Sequence, residues 1–204
     1  AEAELALAEA AHFAKANPDA YEQIMDAYVD ALVKCRGTDL EAKCNEGLER
    51  AEKAWDEAAG AALAQAVAQA DALVEQKQYD TALAIVGQIP RPLASRVQPG
   101  IEEAAERIKV RGNEALRNLI TLAESRLKDS EIDEAADAIA AINRIQYSAG
   151  RSLVAEAVES LGRELAKAIA RRNAQLAAGQ RLLTAFYESI EQPLIQGDFE
   201  AASI

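Results

Sequence analysis

The chain has 204 residues, half of them hydrophobic but only 4% aromatic, with 47 alanines, one His, one Met, one Trp and two Cys. That supply excludes disulfide-dense miniproteins, zinc-cluster proteins, histidine-based hydrolases and aromatic-rich strand folds, each of which needs residues scarce here. With 34 acidic against 22 basic residues and a net charge of -12, the average surface repels phosphate backbones and anionic headgroups, so no nucleic-acid partner is expected.

In chain order, Asn17-Pro18 reads as a cap residue followed by Pro at a first helical position. Tyr21, Ile24, Tyr28 and Leu32 then form an amphipathic stripe that ends at Arg36-Gly37, where Gly takes the left-handed conformation. Thr38-Asp39-Leu40-Glu41 supplies a Thr-x-x-Glu capping box for a helix expected to run to about Gln76. Its stripe is Leu40, Cys44, Leu48, Ala51 and Trp55, and Gly60 marks a place where it can bend. A short helix is expected from about Tyr79 to Gln88, ended by Ile89-Pro90-Arg91-Pro92, because Pro disfavours helix in the residue before it. A second long helix follows Pro99 on the stripe Ile101, Ala105, Ile108, Gly112, Leu116, Leu119, Ala123, Leu127, and another short one covers about Glu131 to Asn143. The third long helix runs from about Ser148 toward Glu191 with Val154, Val158, Leu161, Leu165, Ile169, Leu176, Leu183 and Ile190 inward. At 1.5 Å per residue it reaches about 66 Å, too long for a compact globule to contain without protrusion. No apolar run of about 18 residues lacks a charge, so direct membrane insertion is not expected.

The short helices resemble one another. Tyr79-Asp80-Thr81-Ala82, with Val86 and Ile89, aligns with Ile132-Asp133-Glu134-Ala135, with Ile139 and Ile142, 53 residues later. A third copy starts at Asp198-Phe199-Glu200-Ala201-Ala202. A unit that cannot bury its own apolar face argues for stacked neighbours. An aromatic-Asp/Glu-x-Ala start to a short helix closed by Pro looks like the second helix of tetratricopeptide-type repeats. The segment Ala16 to Ile24 through Gly37 to Ala42 is similar to hairpins of tetratricopeptide-like proteins of the bacterial cell envelope. The strict 34-residue period is absent. The resulting expectation is an all-α fold, an elongated antiparallel array of long helices alternating with short ones in a tetratricopeptide-like solenoid. Residues 1–56 form an N-terminal hairpin unit holding Cys35 and Cys44, continuous with long/short repeats over 57–204. Beginning at Ala1 without Met and ending inside the third copy, the sequence is expected to come from a processed or trimmed chain that continues past Ile204.

Cys35 and Cys44 flank the Gly37 turn on antiparallel helices, where their Cα atoms fit a disulfide span. A bridge there implies an oxidising, periplasmic or extracellular compartment; the alternative is two reduced, buried thiols. His12 has no metal-ligand partners at suitable spacing and reads as a surface or half-buried residue. Glu102, Glu103 and Glu106 read as solvated rather than as acid/base groups. No phosphate loop or nucleophile motif occurs, so neither a catalytic site nor a cofactor or metal is expected. Arg163, Lys167, Arg171 and Arg172 form the one basic stretch, suited to an acidic partner or the acidic face of another copy, or to local pairing such as Glu164 with Lys167. Trp55, Tyr79, Tyr147, Phe186 and Tyr187 are interface anchors where exposed and core where not. The functional expectation is a noncatalytic protein–protein interaction or scaffolding module of the cell envelope, binding other proteins or copies of itself. The alternative is a self-assembling subunit of an extracellular fibre or sheath.

Overall fold

The computed structural model describes residues 1–196. Seven α-helices and no strand occur among the described residues: α1 (Glu2–Ala16), α2 (Tyr21–Cys35), α3 (Glu41–Glu75), α4 (Tyr79–Gly87), α5 (Arg91–Lys128), α6 (Ile132–Arg144) and α7 (Ser148–Gln196). They group into two compact units, Ala1–Gly112 and Asn113–Ile204, with α5 contributing to both. The expected junction at 56/57 lies within α3, and the third copy of the short-helix motif, 198–202, lies outside the described residues.

In the first unit, small residues let three helices meet. Ala6 and Ala10 of α1 pack on Ile24, Tyr28, Ala31 and Cys35 of α2 and on Cys44 of α3. Gly47 leaves room for the Tyr28 ring, since a Cβ at 47 would lie 2.3 Å from its Cε1. Gly37 has φ +75°, as the turn requires. The capping box forms in a shifted register: the Glu41 carboxylate accepts from the Gly37 N–H at 2.8 Å, and Thr38 Oγ1 accepts from the Leu40 N–H at 3.2 Å while donating to the Cys35 carbonyl at 2.6 Å.

Two boundaries differ from the sequence expectation. Pro18 does not open a helix, because Asn17 is spent on closing α1: its Nδ2 and backbone N both donate to the Phe13 carbonyl, and α2 starts three residues after Pro18. The long segment of α5 begins beside Pro99 as expected, after a kink at Val97, but it is preceded by a helical segment from Arg91 that the sequence reading left out. Pro92 sits in its first turn, where no N–H is missed, and Pro99 is accommodated by Val97 leaving helical geometry at φ -123°, ψ 18°. Gly60 lies within a continuous α3.

Side-chain pairs show the direction of the long helices here. Arg96 lies 3.4 Å from Glu52 and 3.5 Å from Asp56, Arg107 3.3 Å from Asp71, and Arg111 2.7 Å from Glu75. The numbers rise together, so α5 runs parallel to α3. Trp55 clamps the start of α5: its Nε1 donates to the Pro92 carbonyl at 3.0 Å, Arg96 lies 4.3 Å over its ring, and Tyr21 stacks on it at 6.0 Å.

In the second unit, Ala123, Ala138 and Leu161 join the end of α5 to α6 and α7. Ile142, Ile145 and Tyr147 are buried, and Gly150 is buried beneath the Tyr147 ring and Leu116. Two turns, one in each unit, share one geometry 53 residues apart. Lys77 and Ser130 both have positive φ, 61° and 66°, and the N–H groups of Gln78 and Glu131 reach back to the Leu73 and Arg126 carbonyls at 2.9 and 2.8 Å. Both are left-handed helix closures of the Schellman type. In the short helices that follow, Ala82 and Ala135 are buried at matching positions, while Tyr79 and Val86 are buried where Ile132 and Ile139 are half-buried.

Candidate interaction surface

Helix α7 has 49 residues, about 74 Å of rod at 1.5 Å per residue. Its apolar stripe is covered in the first half, where Val154, Val158, Leu165 and Ile169 are half-buried and Leu161 is buried. Beyond Arg172 the cover ends. Leu176 and Leu183, expected inward, are 60% and 57% exposed, joined by Leu182 (73%), Phe186 (52%) and Tyr187 (66%). The reason is reach: α6 begins at Ile132, and its first turn meets α7 at Arg172, whose Nη1 lies 3.0 and 3.1 Å from the two oxygens of Asp133. No described residue covers the stripe past that level. The side chain of Ile190 lies outside the described set.

The four basic residues do not converge. Lys167 hydrogen-bonds Glu164 at 2.7 Å, which, with the neighbouring cations Lys167, Arg171 and Arg163, holds that carboxyl below its usual range. Arg172 is engaged by Asp133, while Arg163 and Arg171 are exposed. Arg163, Lys167 and Arg171 stand one turn apart on a ridge beside the apolar stripe, and only Arg172 lies in it. From residue 165 to 187 there are four cations and no carboxylate.

The cysteines are together but unbridged. Cys35 and Cys44 are free thiols, each 0% exposed, and Cys35 Sγ donates to the Ala3 carbonyl at 3.4 Å. Burial, then the hydrogen bond and charge of Cys35, push the Cys44 thiol up to about 11, so it is a poor nucleophile at neutral pH. His12, Glu102, Glu103 and Glu106 are exposed; Gln98 donates to Glu102 at 2.8 Å and Lys109 lies 3.6 Å from Glu106. Tyr79 and Tyr147 are core residues at 4% and 3% exposure, and burial raises the Tyr79 hydroxyl pKa above the ordinary tyrosine value. Among the described residues, no polar or charged side chain is buried and no group of His, Cys, Asp and Glu is placed to hold a metal ion.

The concavities are shallow. One of about 270 Å³ in the first unit is lined by Tyr21, Ile24, Tyr28 and Arg50. One of about 340 Å³ in the second holds Arg126, Glu134 and Asp137, but Arg126 already pairs with Glu131 and with Glu134, closing the turn before α6. The contact with Arg126 lowers the Glu131 pKa, and the shared hydrogen bond with Glu131 raises that of Glu134. No described helix is long and apolar enough to cross a membrane.

The exposed part of the stripe was readable in one respect that helix periodicity hid. Ile169, Leu176, Leu183 and Ile190 fall seven residues apart, the spacing of a helix that packs against one further helix. Comparison of the chain with models of known protein families, with curated proteins and with solved structures finds no match.

Proposed function

We propose that the chain is a noncatalytic protein–protein interaction module, a tetratricopeptide-like arrangement of long and short helices that works outside the cytoplasm. The observation that carries this reading is the exposed stripe of Leu176, Leu182, Leu183, Phe186 and Tyr187. Monomeric proteins seldom expose contiguous apolar patches beyond a few hundred Å² unless something docks there, and aromatic and leucine anchors on a rigid helix suit recognition of another helix. The duplicated turns at Lys77 and Ser130 support reading the helices as repeats. The thiols of Cys35 and Cys44 are close enough to interact, and in an oxidising compartment a bridge between them would staple α2 to α3.

Site-specific photo-cross-linking in cells that make the protein tests this. A photoreactive side chain at Leu183 is expected to give discrete protein adducts that one at the exposed Glu114 does not. Equal, featureless labelling from both positions would refute the reading.

A further inference from the structure

We propose that the distal half of α7 pairs antiparallel with the same segment of a second copy of this chain, closing a two-fold dimer. The inference rests on the interaction-module reading and names its partner.

Three observations select the occupant. The first is spacing. With Ile169, Leu176 and Leu183 at one seam position, Arg172, Gly179 and Phe186 fall at the other, and the positions flanking the seam between 173 and 187 are Asn173, Gln175, Gln180, Leu182 and Tyr187, all uncharged. A helix of this pattern does not repel itself, because Lys167, Arg171 and Arg181 lie at outer positions.

The second is charge in the seam. Arg172 is the one charged residue at a seam position between Ile169 and Phe186. Antiparallel pairing sets the two copies of Arg172 at opposite ends of the contact, whereas parallel pairing stacks Arg172 on Arg172 in the seam. In the antiparallel register, Leu176 of one copy meets Phe186 of the other, and Leu183 meets Gly179. Gly179 has nothing within 4 Å of where a Cβ would be, so it receives the leucine.

The third is area. Phe186 and Tyr187, at roughly 150–250 Å² each when fully exposed, and three leucines, all exposed by 52 to 73%, together present on the order of 500 Å² per chain. Two copies bury about 1,000 Å², the threshold for a specific though weak interface. An isologous contact of this kind uses the same patch on both chains and closes at two, so it does not grow a fibre.

Sedimentation velocity on the full chain from about 1 to about 500 µM is expected to show a monomer–dimer equilibrium with Kd on the order of 1–100 µM and no larger species. Leu176→Asp with Leu183→Asp, both at exposed sites, should weaken it about 100-fold or more with helical circular dichroism unchanged. Mixing a Leu176→Cys chain with a Phe186→Cys chain under mild oxidation should give the mixed disulfide several-fold faster than either chain alone. A chain monomeric throughout the range, growth past the dimer, preferential cross-linking of Leu176→Cys to itself, or binding to phosphatidylglycerol vesicles with no dimer in solution would each overturn the proposal. If the chain stays monomeric while Leu183 still gives adducts to a different protein, self-pairing falls and the interaction-module reading stands. If neither occurs, both fall.

Discussion

Replacing Gly47 with Ala sets two effects of opposite sign against each other. Ala is favoured over Gly within a helix by about 0.8–1.0 kcal/mol, so propensity alone makes Gly47→Ala stabilising. The new Cβ, however, would sit 2.3, 2.6 and 2.7 Å from Cε1, Cδ1 and Cζ of Tyr28, where carbon atoms ordinarily stay about 3.5–4.0 Å apart. The ring must retreat by more than about 1 Å, and overpacking of this kind costs about 1–3 kcal/mol. Tyr28 borders the open concavity beside α2 and α3, which gives the ring somewhere to go and places the cost in the lower half of that range. The net expectation lies between no change and a loss of about 1 kcal/mol, a fall in Tm of at most roughly 4 °C for a chain of this size. Gly60 supplies the control, being exposed on the same helix with nothing within 4 Å of a Cβ. Gly60→Ala should therefore be stabilising by about 0.8–1.0 kcal/mol. Urea unfolding followed by circular dichroism measures both. If Gly47→Ala is as stabilising as Gly60→Ala, the ring contact does not hold these helices at their spacing and the reasoning fails.

The raised Cys44 thiol predicts an alkaline limit. Its pKa rises from 9.0 to about 11 on folding, so the neutral thiol is the form the fold favours. The resulting stability is present below pH 9 and lost as pH climbs toward 11, by at most about 2–3 kcal/mol. Thermal melts of the reduced protein should show this loss and Cys44→Ala should not; oxidation to a Cys35–Cys44 bridge should also abolish it, and identical reduced and oxidised profiles would count against it. Lys77 and Ser130 hold positive φ without being glycine, so Lys77→Gly and Ser130→Gly should each stabilise by about 0.5–1 kcal/mol in denaturant titrations, relief of left-handed strain exceeding the entropy that Gly adds to the unfolded chain. No gain at either site would mean the turns are not strained.

Alanine, Glu and Leu at helical spacing, punctuated by Gly37, Pro90 and Pro92, determined an all-helical chain with long and short elements in the observed order, because propensity, periodicity and breakers act locally. Local chemistry also placed Ile24, Tyr28, Cys44, Ala82 and Ala123 in the interior. The turns at Lys77 and Ser130 were placed by the ends of the helices on either side, but their left-handed geometry was not legible, since neither residue type favours it. The long segment of α5 was legible from Pro99, because the chain leaves helical geometry just before it at Val97, whereas the segment from Arg91 was hidden because Pro90 and Pro92 read as a break although Pro92 sits in a first turn. The composition that argues against catalysis and the stripe Val154 to Ile190 are both legible in the sequence. A stripe, however, states only that a face is apolar. Tertiary structure decided which half of it is spent, because burial depends on how far a neighbouring helix reaches, and α6 reaches no further along α7 than the level of Arg172.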